Sequence, residues 1–152
     1  MMTIRSFRSL SLGGTLLAAT TLAACGGDSP TDPHDDHAEE VDAVRLTVGT
    51  QVVEVDIGGT VTGGPILIPV GTSVAVTAAF LDHDGHVLEL HDDEFELRLV
   101  PANAGVVTFA RTGPFAGTLT GVAAGQTTLA VLVWHLEENH EDFEQLVTVS
   151  VQ

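Results

Sequence analysis

The sequence predicts an all-β fold, a single antiparallel β-sandwich over residues 43–152. Three observations carry this: short apolar runs with a period of two, turn residues at regular intervals between them, and no window of a dozen residues with a helical stripe beyond the first 24. The first alternating run is Val44, Leu46, Val48 and the second is Val53, Val55, Ile57. Gly58-Gly59 and Gly63-Gly64-Pro65 then break the chain. Val74, Val76, Ala78 and Phe80 form the next strand, ended by Asp84-Gly85. Phe95, Leu97 and Leu99 follow, with Pro101-Ala102-Asn103 and Gly113-Pro114 as further turns, and Val147, Val149 and Val151 close the chain. Gly, Pro, Asn and Asp at these points supply the backbone angles that tight turns require. Seven or more such strands in roughly 110 residues fit a two-sheet sandwich.

The first 42 residues read differently. Arg5 and Arg8 precede an uncharged Leu-, Ala- and Thr-rich stretch, Leu10 to Ala24, too short to span a bilayer and ended by small residues. Leu22-Ala23-Ala24-Cys25 contains the only cysteine of the chain. This segment resembles the signal peptide and lipobox of bacterial lipoproteins. The resemblance implies removal of residues 1–24, lipidation of Cys25 on sulfur and acylation of the new amino terminus, palmitate being a typical chain. Gly26, in place of the Asp that favours inner-membrane retention in enteric lipoproteins, implies an outer-membrane location, facing either the periplasm or the outside. Residues 25–42 (Pro, Gly, Ser and acid with almost nothing to bury) are expected to form a flexible tether.

Cleavage would leave 128 of the 152 residues, enough for one domain. The chain has no lysine, and the mature part sets three arginines against 21 acidic residues, a net charge of −18 with neutral histidines. That charge repels nucleic acid and anionic lipid headgroups, so membrane attachment falls to the acyl chains. A protein partner in the envelope stays open.

Within the strand-rich part, Ile66-Leu-Ile-Pro-Val-Gly71-Thr-Ser-Val-Ala-Val-Thr-Ala-Ala-Phe-Leu-Asp82, the turn Asp82-His-Asp-Gly85, and Gly117-Thr-Leu-Thr-Gly-Val-Ala-Ala-Gly125 followed by Leu146–Val151 resemble a bacterial immunoglobulin-like domain of the group 2 type. The resemblance covers roughly residues 66–152 and implies an immunoglobulin-like sandwich used for binding or spacing. Two departures stand out. Leu97 or Leu99 replaces the usual third-strand Trp, and the Val44–Ile57 strand pair precedes the matching part. With one cysteine and no tyrosine, neither the disulfide nor the tyrosine corner of antibody-type domains can form.

Thr128–Trp134 lacks the polar alternation of a strand with one wet face: Leu129, Val131 and Val133 point one way, Ala130, Leu132 and Trp134 the other. The expectation is that the Val44–Ile57 hairpin or a loop covers the second face; the other reading is an exposed patch for a partner.

Catalysis has little support. There is no free nucleophilic cysteine, no Gly-x-Ser-x-Gly, and no phosphate loop, and the paired carboxylates lie in acid runs that read as solvated faces, so no enzyme activity is expected. The histidines do not fit a plain spacer. All seven lie after Cys25 and near acids: His34 and His37 in the tether, His83, His86 and His91 within Asp82–Glu94, and His135 and His140 within His135–Asp142. Asp82–Glu94 is not an EF-hand, because Gly85 comes too early, though calcium at Asp82 and Asp84 stays open. In an immunoglobulin sandwich the loop after the second strand and the loop after the sixth share one end, which would bring the two folded clusters together. Imidazole with carboxylate and no thiolate suits Zn²⁺, Cu²⁺ or Ni²⁺. The expected metal ligands are three or four of His83, His86, His91, His135 and His140, with zinc favoured and His34 and His37 as accessory capture groups. The competing class is a structural, adhesive or protein-interaction module without metal. Replacing Cys25 with Ser should abolish acyl labelling and release the protein from membranes; unchanged labelling would exclude the anchor.

Overall fold

The computed structural model describes residues 40–152. Residues 1–39, which hold the expected signal peptide, the expected lipidation site Cys25, most of the expected tether, and His34 and His37, lie outside the described residues. The described residues form two β-sheets with no helix, as the alternation predicts. The strands are β1 (Ala43–Val48), β2 (Gln51–Asp56), β3 (Val61–Thr62), β4 (Ile66–Ile68), β5 (Ser73–Leu81), β6 (Val87–Leu88), β7 (Phe95–Pro101), β8 (Val107–Gly113), β9 (Ala116–Gly121), β10 (Gly125–His135) and β11 (His140–Val151).

The larger sheet runs β3-β2-β1-β5-β9-β8, with β6 paired to the end of β5; the smaller runs β4-β11-β10-β7. All pairings are antiparallel except β11 with β4. The orders β1-β5-β9-β8 and β7-β10-β11 reproduce the A-B-E-D and C-F-G sheets of an immunoglobulin sandwich.

The Val44–Ile57 hairpin does not cover the outer face of β10. β1 pairs along β5, Val44 opposite Phe80 and Val48 opposite Val76, so the hairpin extends the larger sheet in its own plane. The reason is physical. Stacking on β10 would have hidden one apolar face while leaving the edge of β5 unpaired, whereas edge pairing satisfies the backbone and also turns Val44, Leu46, Val53 and Val55 into the core. Packing begins at Val41, two residues before the boundary drawn from the sequence. Val41 is buried, and the Asp42 N–H donates to the Leu81 carbonyl at 2.9 Å.

The core is aliphatic. Leu46, Val76, Leu97, Leu119, Leu129, Val131, Val133, Val147 and Val149 are fully buried, with Phe80 and Phe143 as its buried aromatic rings. Each such side chain contributes on the order of 1.5–3 kcal/mol of burial. The sequence placed Leu97 or Leu99 where the resembling family has Trp, and both lie inside the core. Glycine is required at Gly63, which has φ +76° and no room for a Cβ against the Val52 carbonyl.

Among the described residues, one charged residue is buried. Glu96 on β7 is 8% exposed and holds two arginines, Arg98 on its own strand through Nε at 2.6 Å and Arg111 on β8 of the other sheet. The Leu97 N–H also donates to the Pro114 carbonyl at 2.7 Å, so one backbone bond and one ion pair tie the edge of the small sheet to the β8–β9 turn. Glu96→Ala leaves two arginines without their counter-ion and should lower stability by roughly 1–3 kcal/mol in chemical denaturation. Glu54→Ala, which removes only the half-exposed Arg45–Glu54 pair, should cost about 0.5 kcal/mol or less.

Candidate metal centre

The candidate site is built by β10 and β11 where they meet their turn. β10 keeps Leu129, Val131 and Val133 inside, and His135 continues this inward row past the end of the core. Its cross-strand neighbours are Phe95 on β7 and His140 on β11. The imidazole of His135 stacks on Phe95, centroids 4.7 Å apart and planes 18° from parallel, which fixes the ring and leaves its side chain 20% exposed. The His140 ring stands edge-on to it at 5.8 Å.

The turn between them is Leu136–Asn139. Asn139 adopts φ 55°, a left-handed conformation that Asn tolerates, and its N–H donates to the His135 carbonyl at 3.0 Å. The Leu136 N–H donates to the Glu94 carbonyl at 2.7 Å, which anchors the turn to the segment ahead of β7.

A β-bulge completes the group. Trp134 lies opposite Glu141 and Val133 opposite Phe143, so Asp142 is the extra residue on β11. In a regular ladder Asp142 would occupy the core position facing Val133. The inserted residue lets Phe143 take that place and re-aims the Asp142 carboxylate at the histidines. Asp142 Oδ1 lies 2.6 Å from His140 Nε2, and Oδ2 lies 3.9 Å from His135 Nδ1. Glu138, in the turn, brings Oε2 to 3.5 Å from His140 Nδ1 and 3.7 Å from His135 Nδ1. His135, His140 and Asp142 each offer a donor atom within 4.8 Å of the others; among the described residues no other group of three His, Cys, Asp or Glu comes together in this way. Donors around a tetrahedral zinc lie roughly 3.3 Å apart, so side-chain adjustments of about 1 Å would close the shell.

The other expected ligands are placed differently. The segment holding His83, His86 and His91 leads from β5 into β7, and Phe95 pairs with His135, so it does lie at the His135 end of the sandwich. Its histidines nevertheless stay with their own turns. His83 Nε2 sits 3.3 Å from Asp84, and His86 Nδ1 sits 3.3 Å from Asp82. His91 is exposed, and its carbonyl accepts the Glu94 and Phe95 N–H groups. Asp82 is occupied by the turn itself: Oδ1 accepts the N–H groups of Asp84 at 2.9 Å and His86 at 2.8 Å. The His86 N–H, ahead of the Asp84 N–H, holds the Asp82 carboxyl below its ordinary range against an opposing effect of partial burial. The first acid of the Asp-x-Asp-Gly motif, Asp82, thus has a structural use here, in capping a tight turn.

Sequence reasoning named His135 and His140 but not Asp142 or Glu138 as individual ligands. The missed signal is a frame change: residues 147, 149 and 151 predict odd-numbered burial, and the bulge is what keeps Phe143 and the preceding even-numbered His140 and Asp142 on one side.

No protein-family model matches the chain, and no curated protein matches it in sequence. Among solved structures it is similar to domains 4 and 5 of the S-layer protein SbsC, at 16% identity and TM-score 0.41, covering 70% of this chain and 53% of that one. A second SbsC structure, domains 5–6, gives 15% identity and TM-score 0.43, covering 70% of this chain and 45% of that one. The chain therefore spans about half the length of each. The C-terminal domain of ZirS aligns over 95% of this chain and 96% of its own, at 10% identity and TM-score 0.33. None of these similarities bears on the site.

Proposed function

We propose that this chain is a lipid-anchored envelope protein whose sandwich domain binds a transition metal ion, zinc foremost, at the β10–β11 turn. The observation that carries the reading is the convergence of His135, His140 and Asp142, with Glu138 in reach of both imidazoles, at a strand end where a bulge turns a carboxylate toward two rings. Two nitrogens and one or two carboxylate oxygens without thiolate form a borderline donor set that suits Zn²⁺, Cu²⁺ or Ni²⁺. The surrounding acids add to it, since a divalent cation offsets carboxylate repulsion. The Phe95 stack holds His135 in place, so less ordering remains to be done when an ion arrives. Anchoring at Cys25 would make the domain a local scavenger or buffer at the outer membrane.

A second reading, a protein-interaction module, is supported by a different feature, the apolar outer face of the small sheet.

The metal reading is testable by calorimetric zinc titration. His135→Ala and His140→Ala should each weaken binding about tenfold or more, while His86→Ala leaves it unchanged. Equal affinity in all four proteins would rule out the site. Binding should also weaken on acidification, as protons compete for the imidazole nitrogens. The single tryptophan, Trp134, adjoins His135, so Cu²⁺ should quench its fluorescence in the parent and not in the double His135/His140 variant. Deleting Asp142 removes the bulge residue and leaves a regular ladder with Phe143 still opposite Val133. That variant should keep its β-sheet circular dichroism and lie within about 1 kcal/mol of the parent in stability, yet lose metal affinity as the histidine variants do.

A further inference from the structure

The two outer faces of the sandwich are chemically unlike each other. On the large sheet the outward residues include a cluster of hydroxyls: Thr47 faces Thr77, Ser73 and Thr120 share a hydrogen bond at 2.8 Å, and Thr108 lies beside Thr120. That is a surface made for water. On the small sheet the corresponding positions carry an apolar stripe. Ala130, Leu132 and Trp134 run along β10, flanked in register by Val100 on β7 and Leu146 on β11. Val100 is 53% and Leu146 57% exposed, and among the described residues no strand or loop lies over them. The guanidinium of Arg98 lies over the half-buried Trp134, 3.8 Å from its ring centroid.

The order of residues across this face is self-complementary. Three rows cross the strands β7, β10 and β11: Val100–Ala130–Leu146, Arg98–Leu132–Glu144 and Glu96–Trp134–Glu141. Laying a second copy on the first by a two-fold axis parallel to β10 sets β7 against β11 in both directions. Leu132 then meets Leu132, Val100 meets the partner's Leu146, and Arg98 meets the partner's Glu144, each contact occurring twice as an isologous interface requires. The one like-charge row sets Glu96 against Glu141, and Glu96 is already neutralised by Arg98 and Arg111. We propose that two copies of this chain associate through the outer face of the β4-β11-β10-β7 sheet, with Leu132 on the axis and Arg98–Glu144 pairs across it.

The size of the face sets the strength. Three strands about 4.8 Å apart and three outward rows about 6.8 Å apart meet about this axis, roughly 300 Å² per partner. A standard interface buries about 800 Å² per partner, so the dimer belongs to the weak class. The high negative charge of both copies acts in the same direction.

This inference is independent of the metal reading, and its test needs no metal. Sedimentation of the full chain at about 100 μM and 150 mM salt should show a monomer–dimer equilibrium. Leu146→Glu and Val100→Glu, both at exposed positions, should each shift it at least tenfold toward monomer with unchanged circular dichroism. Glu144→Arg, which sets a cation against Arg98 of the partner subunit, should also weaken it. Thr108→Glu, on the other outer face, should leave it alone. A monomer at that concentration, or dimerisation that survives both Leu146→Glu and Val100→Glu, would overturn the proposal.

Discussion

Much of this structure hangs on one constraint, that β10 keep Leu129, Val131 and Val133 inside. β10 is hydrogen-bonded on both edges, to β7 and to β11, so its alternation dictates which face of each neighbour is buried. A slip of one residue on either side would send an entire apolar row into water. The same register that buries Leu97 beside Val133 therefore sets Phe95 beside His135, and the same register on the other edge sets His140 opposite it. The candidate metal centre is the next step of a ladder whose lower steps are pure packing.

The bulge at Asp142 resolves a conflict within that ladder. β11 must bury Phe143 opposite Val133, while the turn places His140 opposite His135. Those residues are three apart, which an unbroken strand puts on opposite faces. One inserted residue reconciles them, and the inserted residue is a carboxylate. Packing demands only the insertion; its chemical identity is free, and an aspartate there turns a geometric correction into a candidate ligand.

The strands were readable because half-buried antiparallel sheets print their faces directly as alternation, and the turns because Gly, Pro, Asn and Asp mark the backbone angles they supply. Strand partnership was not readable. Val44, Leu46 and Val48 announce a buried face but say nothing about which edge they join, and β1 proved to be an in-plane neighbour of β5 rather than a cover for β10. Glu96 was hidden for a related reason. It sits two residues after a run of acids and reads as one more solvated charge, while the partner that buries it across the sheets, Arg111, is far away in sequence. Of the site, the two histidines were visible as members of one acid-rich cluster after the sixth strand, but their pairing across β10 and β11 was not. Asp142 was not, because a bulge leaves no compositional mark and emerges only when the registers on both sides are known.

The three arginines of the folded part each lie within a strand and each hold a carboxylate: Arg45 with Glu54, Arg98 and Arg111 with Glu96. With no lysine in the chain, these are the only peptide bonds past Arg8 that a trypsin-like protease can read, and such enzymes need their substrate extended and free of ladder bonds. The exposed turns, where nicking ordinarily begins, contain nothing for them to recognise. Cleavage must wait for a strand to leave its sheet, so the lifetime of the domain before such proteases is governed by the opening of the sandwich rather than by the mobility of its loops.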